Sequence, residues 1–434
     1  MTAPVAPGRW PLLGHTPALL RRRYGFTDEL ARQADVVSLF LGPLQTYCVT
    51  APELVHRVLV TDADAFEKGR MFDKFRDYVG NGLVLSAGAF HRRQRKLMHP
   101  AFERGRIAGY VPLMVRAATD LTATWTPGQV RRVDHDMQAL ATTIVGGALF
   151  GSGLGDAAIA EARRSIPEII RYGMVRVVSP GFVEKLPLPA NRRFDGAVAR
   201  MRAIVGELVE RRRAEDVDHG DLLSTLLLAR DETGAGMADD QVHDEVVTLL
   251  SAGLETSALA LTWLFCELGR HPEVEERVLA EVDALDGPVT FDDLPRLPNL
   301  RRAIDETLRM YPLWMVMRRA TEDIELGGVR LRAGDEVVIS PHALHHDPRW
   351  FPDPHRFDPD RWLTADVPKG GYIPFGAGVR RCIGAAFALT EITAVAATIA
   401  ARWRLLPLPG HRVSVKYTST AYPRSLPMTA VPRS

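Results

Sequence analysis

The stretch Phe375-Gly376-Ala377-Gly378-Val379-Arg380-Arg381-Cys382-Ile383-Gly384 decides how this chain is read. It sets one cysteine among glycines, places two arginines directly before it, and runs on into an apolar segment of helical pattern. A thiolate that ligates a metal needs a closely approaching backbone, nearby donors and an electropositive setting, and these ten residues offer all three. The competing reading is a cysteine buried as a small apolar residue at the start of a helix.

Outward from this loop, the bulk numbers exclude more than they select. The chain has 434 residues, 46% of them hydrophobic and 25% charged, which is ordinary globular composition. A net charge of +1 gives no general reason to expect a nucleic acid or a membrane surface as partner. Of 54 basic residues only six are lysine. Three cysteines, Cys48, Cys266 and Cys382, do not make a disulfide framework and suit a reducing cytoplasm. The first twenty residues are broken by Pro4, Pro7, Pro11 and Pro17 and do not form a signal peptide. The expectation is one domain over residues 1–434, cytoplasmic, with no membrane anchor and no fused reductase.

The pattern is mostly helical. Ala238 to Arg270 is the longest helical candidate, well beyond the usual length of about 10–14 residues, and its middle is apolar enough to be buried. Val198 to Arg213, Pro272 to Leu285 and Leu300 to Tyr311 are shorter helices. Val36 to Leu41 and Thr46 to Val49 read as strands around Gly42-Pro43, and Val329 to Ile339 as a hairpin turning at Ala333-Gly334-Asp335. Pro180 to Pro189 reads as a mobile loop between helices.

Within the long helix, Ala252-Gly-Leu-Glu-Thr256 places a glycine where it costs up to about 1 kcal/mol relative to alanine. A flat ligand pressed against that side would explain Gly253, and Glu255 with Thr256 would then feed protons to it. The alternative is a threonine bonded back to its own helix beside an exposed glutamate. Glu306 and Arg309 share a helix face, which a solvated ion pair explains equally well. His91 and Arg95, one turn apart, reach a common target or form part of a basic solvated face with Arg92, Arg93 and Lys96. His342, His345 and His346 lack cysteine or carboxylate neighbours at zinc spacing and read as loop packing.

Taken in order, the opening Pro7 to Gly14, the basic helix, the Ala252–Thr256 motif, Glu306-Thr-Leu-Arg309, Pro354-His-Arg356-Phe357 and the cysteine loop resemble the cytochrome P-450 haem-thiolate monooxygenases over essentially the whole chain. The resemblance implies a mainly α helical prism with a small β-rich region, haem lying between the long central helix and the helix after the cysteine loop. It implies Cys382 as axial iron ligand and Glu255 with Thr256 as the proton-delivering pair. His91, Arg95, Arg318, Arg380, Phe375 and Gly376 would contact the haem, Arg319 being an equal alternative to Arg318. Glu306, Arg309 and Arg356 would form a buried structural network.

By the same resemblance, Phe72 and Phe75 in the loop before the basic helix, Ala252, Leu313, Trp314, Met315, Val316, Ser419 and Thr420 would line the substrate pocket. Haem b is the implied cofactor, with O2 as co-substrate and NAD(P)H electrons arriving through a ferredoxin reductase and a ferredoxin. Arg92, Arg93, Lys96 and Arg381 would receive the ferredoxin. The Glu-Thr-Leu-Arg-Met-Tyr-Pro and Arg-Arg-Cys-Ile-Gly runs look closest to the actinobacterial terpenoid-modifying branch. A sesquiterpene-like hydrocarbon leads as expected substrate, ahead of a fatty acid, a steroid or a macrolide. The alternatives are a peroxygenase or isomerase of the same cofactor class and a non-catalytic haem- or ligand-binding protein.

Overall fold

The computed structural model describes residues 2–433 apart from Arg23, residues 152–155, 179–180, Asp216, and residues 313–314 and 418–419. Ten of its helices position the site and are labelled in chain order. They are α1 Arg70–Val79, α2 Gly88–Met98, α3 Arg104–Ala123, α4 Val133–Phe150 and α5 Asp156–Val178. Then come α6 Pro189–Glu215, α7 Asp239–Arg270, α8 Pro272–Asp283, α9 Pro298–Met310 and α10 Ala385–Ala400.

At 32 residues α7 spans about 48 Å. Asp239 and Asp240 occupy its first turn, where negative charge suits the helix dipole, and Pro272 opens α8 directly after His271. It is the one described helix long and apolar enough to cross a membrane, and its burial makes it a core element instead. The apolar helix α10 buries 13 of its 16 residues, so it too lies inside. One core joins α3 to α10, with Trp263, Met114, Met137 and Phe150 among its fully buried side chains. Gly253 has a packing reason of its own. A Cβ there would lie 2.9 Å from Cγ2 of Val145 on α4, so the glycine makes room for a neighbouring helix.

The β-rich part centres on one five-stranded sheet: β1 Val36–Leu41, β2 Leu44–Val49, β3 Phe66–Lys68, β4 Val316–Ala320 and β5 Glu336–Ile339, ordered β1-β2-β5-β4-β3. The expected hairpin over 329–339 does not form. Val329–Leu331 pairs with Ile324–Leu326 around Gly327 and Gly328, both at positive φ, and β5 pairs with β2 and β4. The turn at Ala333–Asp335, closed by Asp335 N–H on the Arg332 carbonyl, only carries the chain from one sheet to the other. Antiparallel pairing of β3 with β4 sets Lys68 opposite Arg318. In the stretch read as a loop over 180–189, Gly181–Glu184 is a short helix and Pro189 already belongs to α6; Pro180 lies outside the described residues.

Candidate active site

The cysteine loop is held by its own backbone and by what it rests on. The Cys382 N–H donates to the Phe375 carbonyl at 2.9 Å, Arg381 N–H to Gly378 O at 3.0 Å, and Gly376 N–H to Ile373 O at 3.0 Å. Gly376 and Gly378 take positive φ, and a Cβ on Gly378 would fall 1.8 Å from the Leu59 carbonyl oxygen. Glycine is therefore required where the loop meets the Arg57–Thr61 turn. Cys48 and Cys266 are buried and their thiols pushed up to about 12, whereas Cys382 is exposed. Protein nonetheless crowds its thiol. That enclosure raises the thiol, and the Gly384 N–H, Arg95 and Arg381 act to lower it.

Beside the loop, cations meet cations. Burial and then Arg318 and Arg380 hold the Lys68 ammonium well below its usual range. His91, buried on α2, is pushed down to about 4 by burial and by Arg380, Arg95, Lys68 and Arg318. Arg318 is lowered to about 10 by burial and Arg380. Arg380 donates to the Ser86 carbonyl at 2.9 Å, and Arg95 is influenced by Cys382 itself. The choice between neighbouring arginines is visible in their partners. Arg319 bonds Glu67 at 2.6 Å and Asp73 at 2.8 Å, whereas Arg318 is buried with its described side-chain bond going to the Met317 carbonyl. Lys68 carries no sequence signal, being a lone lysine on a three-residue strand.

On α7 the flanking turns are buried while Ala252 and Thr256 are exposed, marking the stripe that faces the cleft. The Thr256 hydroxyl donates to the Ala252 carbonyl at 2.9 Å, the back-bond to its own helix. Glu255 is half-buried. The phenol of Tyr422 lies close by, its pKa raised by burial and by the Glu255 charge, with Thr420 opposing.

The Glu306 network differs from expectation in one member. Arg309 makes two bonds of 2.9 Å to Glu306, and both side chains are fully buried. The third member is Arg361, the second cation, whose Nε donates to Glu306 Oε1 at 2.9 Å; Asp358 N–H and Trp362 Nε1 complete the carboxylate's partners. Arg356 is exposed and contributes only its carbonyl, which accepts from Arg309 at 3.3 Å. Two Pro-x-Arg-aromatic runs follow one another here, Pro354-His-Arg356-Phe and Pro359-Asp-Arg361-Trp, and the second supplies the side chain.

Other expected residues scatter. Phe72 and Phe75 lie on α1, a helix where a loop was expected; Lys68 Nζ sits 4.5 Å from the Phe72 ring centre, and Phe75 packs against Gly173 of α5. Met315 packs on the N-terminal cluster of Phe26, Leu30 and Leu39, and Val316 on the sheet core. Thr420 is buried, and Leu313, Trp314 and Ser419 lie outside the described residues. The expected docking cations are partly occupied: Arg93 bonds Asp231 at 2.8 Å, Lys96 pairs with Glu232, and Arg92 approaches Asp64 at 4.0 Å. Arg381 is exposed. His342 stacks between Tyr24 and His346, and the His345 ring accepts the Ile373 N–H at 2.9 Å.

The donor set fits haem b. A reachable sulfur stands on the cysteine loop, and the cations beside it lack, among the described residues, the carboxylates that two propionates would bring; Glu67, the one acid acting on Arg380, is taken by Arg319. The family model for cytochrome P-450 matches residues 4–429. Cyclooctat-9-en-7-ol 5-monooxygenase of Streptomyces melanosporofaciens is 46% identical over 441 residues, covering 100% of this chain and 96% of the relative. Pentalenene oxygenase of Streptomyces avermitilis is 37% identical, with 100% and 98% covered. Among solved structures, the haem domain of cytochrome P-450DA superposes with a TM-score of 0.88 at 28% identity, covering 100% of this chain and 98% of that one. A cysteine presented on a glycine loop, an uncompensated cation group beside it and likeness along the whole chain converge: the protein belongs to the cytochrome P-450 family, the haem-thiolate monooxygenases that work with haem b.

Proposed function

We propose that this chain oxygenates an apolar cyclic terpenoid, hydrocarbon or alcohol, inserting one atom of O2 into a C–H or C=C bond, as a single catalytic unit in which Cys382 would ligate the haem iron. The observation that carries the substrate class is the 46% identity over the full chain to a cyclooctat-9-en-7-ol monooxygenase, with pentalenene oxygenase beside it. Bound haem supplies dioxygen binding and, through thiolate donation, O–O cleavage.

The protein's own residues do the rest. The Gly384 N–H and the charges of Arg95 and Arg381 favour the thiolate form of Cys382. Lys68, His91, Arg318 and Arg380 would hold the propionates, His91 donating through a ring nitrogen. Thr256, its proton committed to the Ala252 carbonyl, offers lone pairs to a water in the cleft, and Glu255 is the acid that reprotonates this water. Phe72, Phe75 and Ala252 supply apolar wall. Electrons come from NAD(P)H by way of a ferredoxin reductase and a ferredoxin, for which the exposed Arg381 and the loosely paired Arg92 are the docking cations left after Arg93 and Lys96 are paired.

The test is a spin-state titration of the purified holoenzyme with cyclooctat-9-en-7-ol, pentalenene, a fatty acid and a steroid, followed by turnover with NAD(P)H, ferredoxin and reductase. A shift and product with the terpenoids alone support the reading; a response confined to fatty acid or steroid sinks it. Cys382→Ala is expected to abolish the thiolate-type ferrous carbonyl spectrum. Thr256→Ala is expected to retain haem while diverting electrons to hydrogen peroxide.

A further inference from the structure

Between α1 and α2 the chain crosses from Gly80 to Ser86, and both ends of this crossing are tied to neighbouring elements. On one side the α7 carboxylates take its backbone: Asn81 N–H donates to Asp244 Oδ2 at 2.6 Å and Leu83 N–H to Glu245 Oε2 at 2.8 Å. Gln241, one turn earlier, donates to the other Glu245 oxygen at 2.7 Å and reaches the Asn81 carbonyl at 3.4 Å. The fit leaves no space. A Cβ on Gly80, which has φ +87, would fall 1.9 Å from Asp244 Oδ1, and one on Gly82 would fall 2.0 Å from Thr248 Oγ1. On the other side Arg76 of α1 donates twice to the Leu85 carbonyl, at 2.7 and 3.1 Å, and Arg380 of the cysteine loop donates to Ser86 O.

These α7 residues share a stripe. Gln241, Asp244 with Glu245, and Thr248 follow one another at helical spacing, and Ala252 and Thr256 continue the line about one and two turns beyond Thr248. The crossing therefore lies along the same face of α7 as the oxygen-side residues, and it joins α1, with Phe72 and Phe75, to α2, with His91 and Arg95. Glu245 is fully buried, and burial pushes its carboxyl up to about 7 although the Leu83 N–H and Gln241 favour the ionised form. A carboxylate kept in so unfavourable a place has its bonds to the crossing as compensation.

We propose that Gln241, Asp244 and Glu245 form a latch that seats the 80–86 crossing over the cleft, and that ligands reach the iron when the Asn81 and Leu83 N–H groups leave these carboxylates. Glu245 is then a positioning residue for ligand access and takes no part in proton delivery. Gly80 and Gly82 are the points about which the crossing lifts, while Ser86 stays held by Arg380. The inference rests on the cleft beside α7 being the haem pocket and is independent of which substrate the enzyme takes.

The experiment is stopped-flow binding of 4-phenylimidazole to the haem-loaded Glu245→Ala and Asp244→Asn variants and wild type, with amide hydrogen exchange over residues 80–86. The latch predicts association and dissociation rates both raised about tenfold in Glu245→Ala, less in Asp244→Asn, with faster exchange at Asn81 and Leu83 and an unchanged ferrous carbonyl spectrum. Unchanged rates in correctly loaded variants overturn it. If Glu245→Ala does not fold, Asp244→Asn and wild-type exchange decide, and Leu83 exchanging in wild type as fast as an open turn also overturns it. Failure of terpenoids to bind, with 4-phenylimidazole kinetics responding as stated, counts against the substrate assignment and leaves the latch standing.

Discussion

Around Glu306 five donors converge on one buried carboxylate, whereas around Lys68, His91, Arg318 and Arg380 cations face cations. The first group is complete within the protein: Arg309 and Arg361 supply the countercharge, Asp358 and Trp362 fill the remaining lone pairs, and nothing further is required. The second is unbalanced among the described residues and would reach balance with an anionic ligand such as the proposed propionates. A third solution sits on α10, where Glu391 is buried with no cation beside it among the described residues. Burial pushes it up to about 8, the nearby Ser257 hydroxyl only partly opposing, so it stays protonated at neutral pH. Paired charges hold the fold, unpaired like charges mark the cofactor, and a lone acid gives up its charge.

The complete network around Glu306 is most vulnerable at Arg361. Arg361→Ala leaves Glu306 short of a partner in a buried place, a loss of about 3–5 kcal/mol, and the expected product is colourless protein that fails to retain haem. Absorbance per mole of purified chain reads this directly.

Next in size is a pH effect at Glu391. The native state keeps a proton there that the unfolded chain releases near 4.5, so the unfolded state binds fewer protons between pH 4.5 and about 8, and wild-type stability falls as pH rises through that window. Glu391→Gln removes this contribution, and its denaturant midpoint is expected to change less between pH 5 and pH 9 than that of wild type.

Lys68 and Arg318 sharpen the contrast by moving two quantities in opposite directions. Lys68→Met and Arg318→Ala each lose a propionate partner, so haem passes to an apo-globin acceptor about tenfold faster. The same changes relieve repulsion and raise the denaturation midpoint of haem-free protein; a fall in that midpoint contradicts the assignment. The smallest effect is Arg356→Ala, within about 0.5 kcal/mol of wild type, because its side chain is exposed and its backbone carbonyl remains.

The cysteine loop is legible in the sequence because its constraints are local: glycines where the backbone turns, donors within two residues of the sulfur, a helix starting at once. Glu306 and Arg309 are legible as a pair for the same reason, being one helical turn apart. Their third partner is not. Two successive Pro-x-Arg-aromatic runs look alike in one dimension, and only the path of the chain decides that Arg361 turns inward and Arg356 outward. Gly253 stands out in the sequence for a sound reason, and the surface that explains it is Val145 of a neighbouring helix; a helix of 32 residues meets many surfaces, and sequence does not say which one lies at that level. Arg318 and Arg319 are indistinguishable in sequence and are separated only when β3 brings Glu67 and Lys68 alongside.

The amino-acid sequence by itself determined the helical class, the single exposed-thiol loop, the long central helix and the ordered motifs that mark the family, because each depends on residues within a turn or two of one another. Only tertiary structure decided which cations remain unpaired, which arginine completes the buried network and how α7 grips the 80–86 crossing. Those are contests among distant charges and surfaces, and their outcome is set by which groups lose water together when the chain closes.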